Sequence, residues 1–189
     1  MILIKFFKIL SKKKFKTIQV KELFMSNIHV PIDISDLQSS IPPDEEIIYS
    51  TLARGALAVS SKYIGNWKTH VLITRKGIAF FMYQKKDHGI DSVYVTLHKI
   101  IVPGMTGALR IPEYCHLYLE RHPSEDKKDY KKRERAFEAF ISQPVIEAKK
   151  MQIEILKDND DKNSQKKISN LEKEIKKTEN VLKKWSKWL

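Results

Sequence analysis

The sequence predicts an α+β fold: a small antiparallel β-barrel or sandwich capped by a C-terminal helix, with helical extensions at both ends. Three observations predict it. Residues 67–83, Trp-Lys-Thr-His-Val-Leu-Ile-Thr-Arg-Lys-Gly-Ile-Ala-Phe-Phe-Met-Tyr, read as a β-hairpin with β-branched and aromatic arms. Turn signals recur about every ten residues from 44 to 123. After Pro123 the apolar spacing changes from two to three and four. Strands first and helices afterwards make α+β.

Taken in order, residues 1–24 predict an amphipathic helix. Leu3, Phe6, Phe7 and Leu10 form one apolar stripe, and Lys5, Lys8 and Lys12 fall on another face. Such a helix suits a membrane interface or a bare face of its own domain. Lys21–Ile28 predicts a second short helix, and Pro31 and 39–43 mark loop. Ile47–Leu52 predicts a strand. Gly55 marks a bulge or break before Ala56–Ser60, and 60–66 reads as a loop. The hairpin arms are His70–Thr74 and Ile78–Tyr83, joined by Arg75-Lys76-Gly77, with a positive φ expected at Gly77. Ser92–Thr96, Lys99–Pro103 and Ala108–Ile111 predict further strands. In Tyr114–Arg121, Cys115, Leu117 and Leu119 should face the core, and Leu72, Phe80, Leu117, Leu119 and Phe137 should be buried together in one interior.

A helix should start at Ser124 and run to about Ile141, with Tyr130, Phe137, Phe140 and Ile141 on one face; Pro144 should break it. A continuation, Val145–Leu156, is also amphipathic. From Ser164 to Leu189, Ile168, Leu171, Ile175, Thr178, Leu182, Trp185 and Leu189 form a short heptad seam. That seam can form a coiled coil with another chain or pack back on its own domain. The expected organisation is an N-terminal extension over 1–40, a domain over 41–142 and a helical extension over 143–189.

The 189 residues carry a net charge of +12, and residues 124–189 alone hold 18 basic and 13 acidic side chains. A basic excess favours anionic partners: lipid headgroups, nucleic acid or acidic proteins. One cysteine excludes a disulfide framework and points to the cytoplasm. No apolar run reaches the length of a membrane-spanning helix, and the first ten residues are not built like a signal peptide.

Catalytic chemistry finds no support. Cys115 and His116 are adjacent, so on a strand they point to opposite faces. The six histidines lack metal-ligand spacing, and no phosphate loop is present. Asp158-Asn159-Asp160 starts like a calcium loop, but Ser169 stands where the closing Glu belongs. No enzyme activity, metal or cofactor is expected.

The runs Glu45-Glu46-Ile47-Ile48-Tyr49, Val71–Phe81 and Val93–Ile100 together resemble PH-like domains, above all the GRAM, bacterial-PH and ESCRT-II GLUE branches. The resemblance covers about residues 44–142. It implies a seven-stranded, two-sheet barrel closed by the helix after Ser124, and a non-enzymatic adaptor. The implied partners are an anionic phospholipid headgroup, a protein such as ubiquitin, or both. A trafficking role at a membrane periphery would fit.

On that reading the lipid-binding residues are Lys62, Lys68, Lys85 and Lys86, which flank one end of the hairpin; Arg75-Lys76 lie at the other end. Phe6 and Phe7 are the expected membrane contacts. The rival reading is a basic nucleic-acid-binding protein, resting on the six cations and Tyr130 within Lys127–Arg135.

Overall fold

A computed structural model describes residues 24–25, 28–29, 33–59, 62–84, 89–104, 108–159 and 161–189, and the side chains of most of these. The expected helix over 1–24, with Phe6 and Phe7, lies outside the described residues apart from Phe24. The second expected helix is corrected. Phe24–Met25 (β1) and Ile28–His29 (β2) pair antiparallel, with Met25 opposite Ile28. Phe24 and Ile28 are residue types that suit a strand, and the pairing outweighs the weak helical spacing.

Ile34–Ser39 (α1) is a single-turn helix that the spacing did not reveal. Asp33 caps it by accepting from the Ser35 amide. Six strands follow: Ile47–Val59 (β3), Lys62–Thr74 (β4), Gly77–Gln84 (β5), Gly89–Thr96 (β6), Ala108–Ile111 (β7) and Cys115–Leu119 (β8). They form one antiparallel sheet in the order β6-β5-β4-β3-β8-β7, curled into a half-barrel. Lys127–Lys157 (α2) and Lys162–Trp185 (α3) complete the fold, with a 3₁₀ turn at Ser186–Trp188.

The hairpin forms with Val71 opposite Phe80 and Ile73 opposite Ile78. Its turn is tied by Thr74, whose Oγ1 accepts from the Gly77 amide at 2.9 Å and donates to Glu45. Gly77 has no positive φ. It is glycine for space, because a Cβ there would sit 2.2 Å from the Tyr94 ring. Gly55 does not interrupt β3, and β4 extends back to Lys62, so the expected loop over 60–66 is mostly strand. Trp67 lies across from Gly55, and a Cβ on Gly55 would meet its ring at 2.2 Å. Absence of a side chain there makes room for an indole, not for a bend.

Strand pleating sorts the core as expected for Phe80, Leu117, Leu119 and Phe137, which share one interior. Leu72 is a correction. It points to the opposite face, where α1 covers it with Leu37 and Ile41 beside Ala79 and Phe81. Alternation demands this, since Val71 and Ile73 already face inward. The expected strand over Lys99–Pro103 reduces to a 3₁₀ turn at Leu97–Lys99 and one bridge, Ile101 to Arg110. Leu97 and Ile100, three apart and fully buried, anchor the turn.

Helix α2 is capped by Asp126, two residues later than expected, and runs without interruption through Pro144. The proline ring costs a helix ~3 kcal/mol or more. Phe137, Ile141 and Val145, on both sides of it, are buried in one core, and that packing keeps the helix continuous through the site. The expected boundary at 142/143 therefore falls inside a helix. Helix α3 lays Ile168, Leu171, Ile175 and Leu182 against Ile146 and Ile153 of α2, while Val181 reaches the sheet core.

Candidate anion-binding site

The stretch Lys127–Arg135 sorts into two faces once it is helical. Tyr130, Arg133 and Phe137 look toward the sheet. The Tyr130 hydroxyl donates to the Leu119 carbonyl at 2.8 Å. Arg133 donates to the Glu120 carbonyl at 2.6 Å and to both Glu125 oxygens at 2.9 Å. That pairing holds the Glu125 carboxyl below its usual range. Arg133 is thus a structural cation, occupied in tying α2 to the end of β8.

The other face carries Lys127, Lys128, Lys131, Lys132 and Arg135, at helical spacings of one, three and four. The chain's last turn comes to meet it. The Arg135 guanidinium lies close to two indoles, 4.9 Å from the Trp185 ring centre and 5.1 Å from that of Trp188. Lys184 sits over Trp185 at 4.4 Å and Lys187 over Trp188 at 5.8 Å. Between the two elements opens a cleft of about 460 Å³, lined by Asp126, the four lysines, Arg135 and Trp188.

Few acids answer these charges. Asp126 accepts from the Lys128 amide as the helix cap, and Asp129 pairs with Lys132 at 3.2 Å on the exposed surface. Among the described residues, no acceptor bonds the Arg135 guanidinium, and no ion pair engages Lys127, Lys128 or Lys131. Among the described residues, no acceptor meets the buried indole nitrogens of Trp185 and Trp188. Such a cluster is electrostatically uphill by itself and is relieved by an anion.

Of the sequence-predicted cations, Lys68 lies in mid-strand, six residues and about 20 Å of β4 from Lys62. Its ammonium pairs with Glu120 at 3.2 Å. Lys68 therefore does not stand at the strand end with Lys62. Lys62 opens β4, its side chain undescribed; Lys85 and Lys86 lie outside the described residues. At the opposite end of the hairpin, Lys76 pairs with Asp44 at 2.8 Å. A second groove, of about 440 Å³ between α2 and α3, mixes Lys150 and Lys176 with Glu154, Glu172 and Glu179, and so has no single sign.

Cys115 is buried, and burial pushes its thiol up to about 12. The His116 ring is on the other face of β8, near the Tyr118 hydroxyl at 3.4 Å. Among the described residues, no three His, Cys, Asp or Glu side chains are grouped to hold a metal. No described helix is long and apolar enough to cross a membrane.

The sequence marked the basic helix but not its counterpart. Arg135 and Trp188 are far apart in the chain, and only the antiparallel return of α3 joins them. The one legible signal was Trp185-Ser-Lys-Trp-Leu, two tryptophans with lysine between them. Comparison with protein families, with curated proteins and with solved structures finds no match to this chain.

Proposed function

We propose that the chain is a non-enzymatic, PH-like binding module that engages anionic membrane surfaces through the α2–C-terminal cleft. The strand order supports the PH-like part. A four-stranded meander, β3 to β6, continues through β8 and β7 to the bridge at Ile101, which stands where a seventh strand would. Helix α2 packs on the interior of the curl, as a closing helix would.

One observation carries the functional part: Lys127, Lys128 and Lys131, without ion pairs among the described residues, lie on one helix face beside a terminal turn of two tryptophans, Lys184, Lys187 and Leu189. Lysine supplies attraction to anionic headgroups of ~1 kcal/mol each near the surface, and tryptophan favours the headgroup level. Exposed Lys127, Lys128 and Lys131 suit a flat charged layer because each is a flexible point charge.

Sedimentation with vesicles tests the reading. The full chain should pellet with anionic vesicles and weakly with neutral ones. Exchanging Lys127 and Lys131 for Glu should weaken anionic binding by about 30-fold or more, since two attractive terms become repulsive. Undiminished pelleting of the folded variant would remove the cleft from the membrane reading. Displacement of the vesicles by an oligonucleotide of matched charge would favour the nucleic-acid alternative.

A further inference from the structure

We infer that Arg135 reads a phosphomonoester: a phosphate group with a free end, taken by the N–H fork of a guanidinium that is held by stacking near Trp185 and Trp188. The inference deepens the membrane reading and rests on the same cleft, but it names a chemical group where that reading names only charge.

Stacking decides how Arg135 is held. Two indole rings lie near 5 Å from its guanidinium carbon. The guanidinium carries five N–H donors in a fixed fork. No acceptor among the described residues engages that fork. A long arginine side chain in water would lose much rotamer freedom on binding; this one is already held by stacking, so the loss is smaller. Two coplanar oxygens 2.2–2.5 Å apart, as in carboxylate or phosphate, satisfy such a fork in bidentate fashion (roughly the geometry of the common arginine–phosphate pair).

Charge then chooses between those groups. Lys127 and Lys131 precede Arg135 at successive i, i+4 positions, and Lys128 flanks them; these three have no ion pair among the described residues. The lining acid, Asp126, is turned to the Lys128 amide as a cap. A carboxylate or a phosphodiester brings one negative charge, whereas a phosphomonoester brings about −1.5 to −2 at neutral pH and three terminal oxygens. The extra charge and oxygen answer the lysines beside the fork.

The monoester can come from a lipid headgroup or from a soluble metabolite, and the experiment separates the two. The full chain is titrated with vesicles of phosphatidic acid and of phosphatidylglycerol, adjusted to equal surface charge, and separately with glycerol 3-phosphate. The wild type should prefer phosphatidic acid by about ten-fold, the worth of one further charge-assisted hydrogen bond from the third terminal oxygen to a lysine beside the fork. Arg135→Lys keeps the charge and loses the fork. It should abolish that preference, because without the fork the monoester is no longer turned with its third oxygen to the lysines. Lys127→Gln should weaken both vesicles alike. In ¹H–¹⁵N spectra, glycerol 3-phosphate should move the Trp185 and Trp188 indole signals and leave that of Trp67, which donates to the Phe81 carbonyl. Equal binding of the two vesicles by the wild type overturns the inference and leaves the membrane reading standing. So does a preference that survives in Arg135→Lys. Binding of glycerol 3-phosphate with no vesicle bound supports the phosphate site and overturns the membrane reading. Binding of neither overturns both. The wild-type comparison decides even if the Arg135 variant fails to fold.

Discussion

At the scale of single residues, the sheet is shaped by what is missing from Gly55. Trp67 fills the space a side chain would take, and its indole nitrogen donates to the Phe81 carbonyl at 2.7 Å. Gly55→Ala should therefore act as overpacking and cost ~1–3 kcal/mol or more, with a red shift in Trp67 fluorescence as the ring is displaced. An alanine variant with unchanged melting would mean that the indole has room to move. Glu125 gives a pH signature. Arg133 holds its carboxyl below the ordinary range chiefly by hydrogen bonding, opposed by burial. A depressed acid stabilises the fold above its unfolded pKa, ~4.3, and loses that contribution as pH falls through the folded value. The melting-temperature gap between wild type and Glu125→Gln should be full above about pH 5 and close below about pH 4. The pair is partly exposed, so the gap should correspond to about 1 kcal/mol at most. A gap that is constant from pH 3 to 6 would separate the stabilisation from the charge.

At the scale of elements, Lys149 is the tie between α2, α3 and the turn at Leu97–Lys99. Its side chain is fully buried, and its ammonium donates to Glu174 at 2.6 Å and to the His98 carbonyl at 2.7 Å. Burial lowers its pKa, and Glu174 opposes that. A buried pair is asymmetric: an apolar replacement of the buried member is tolerated better than loss of its partner. Lys149→Met should change stability by about 1 kcal/mol or less, whereas Glu174→Ala, which strands the ammonium, should cost ~3–5 kcal/mol. Denaturant melts of the two variants check the order, and the reverse order would sink the argument. This element also shows where sequence reading stopped. Cys115, Leu117 and Leu119 were legible because pleating is local. The unbroken passage through Pro144 was not, because the reason lies in a core assembled from distant strands. Nothing local in the sequence says that His98 and Glu174 converge on Lys149. The cleft was half legible: its lysines lie on one helix, its tryptophans on another.

At the scale of the whole molecule, α3 is packed against its own chain along the seam that could have served a partner. Ile175, Thr178 and Val181 are buried, and Trp185 packs against the sheet core. Deleting 160–189 should leave the mass in light scattering monomeric, as in the full chain, and lower stability by several kcal/mol as Ile146 and Ile153 become exposed. A full chain that scatters as a dimer, falling to a monomer on deletion, would return the seam to an intermolecular role. The fold class and the main hairpin were readable from the sequence, whereas the return of α3 that closes the cleft was not. The unbroken course of α2 has one more consequence. Its 31 residues make a continuous helix about 46 Å long, bolted to the sheet by its first half and flanked by α3, whose end returns to Arg135. A pull on the C-terminal turn, such as that of a surface holding the two tryptophans, is carried through Arg135 into the packing around Phe137 and Ile141. Stretching the molecule between Trp188 and the sheet should accordingly give one force peak, with no earlier step for a separate C-terminal unit.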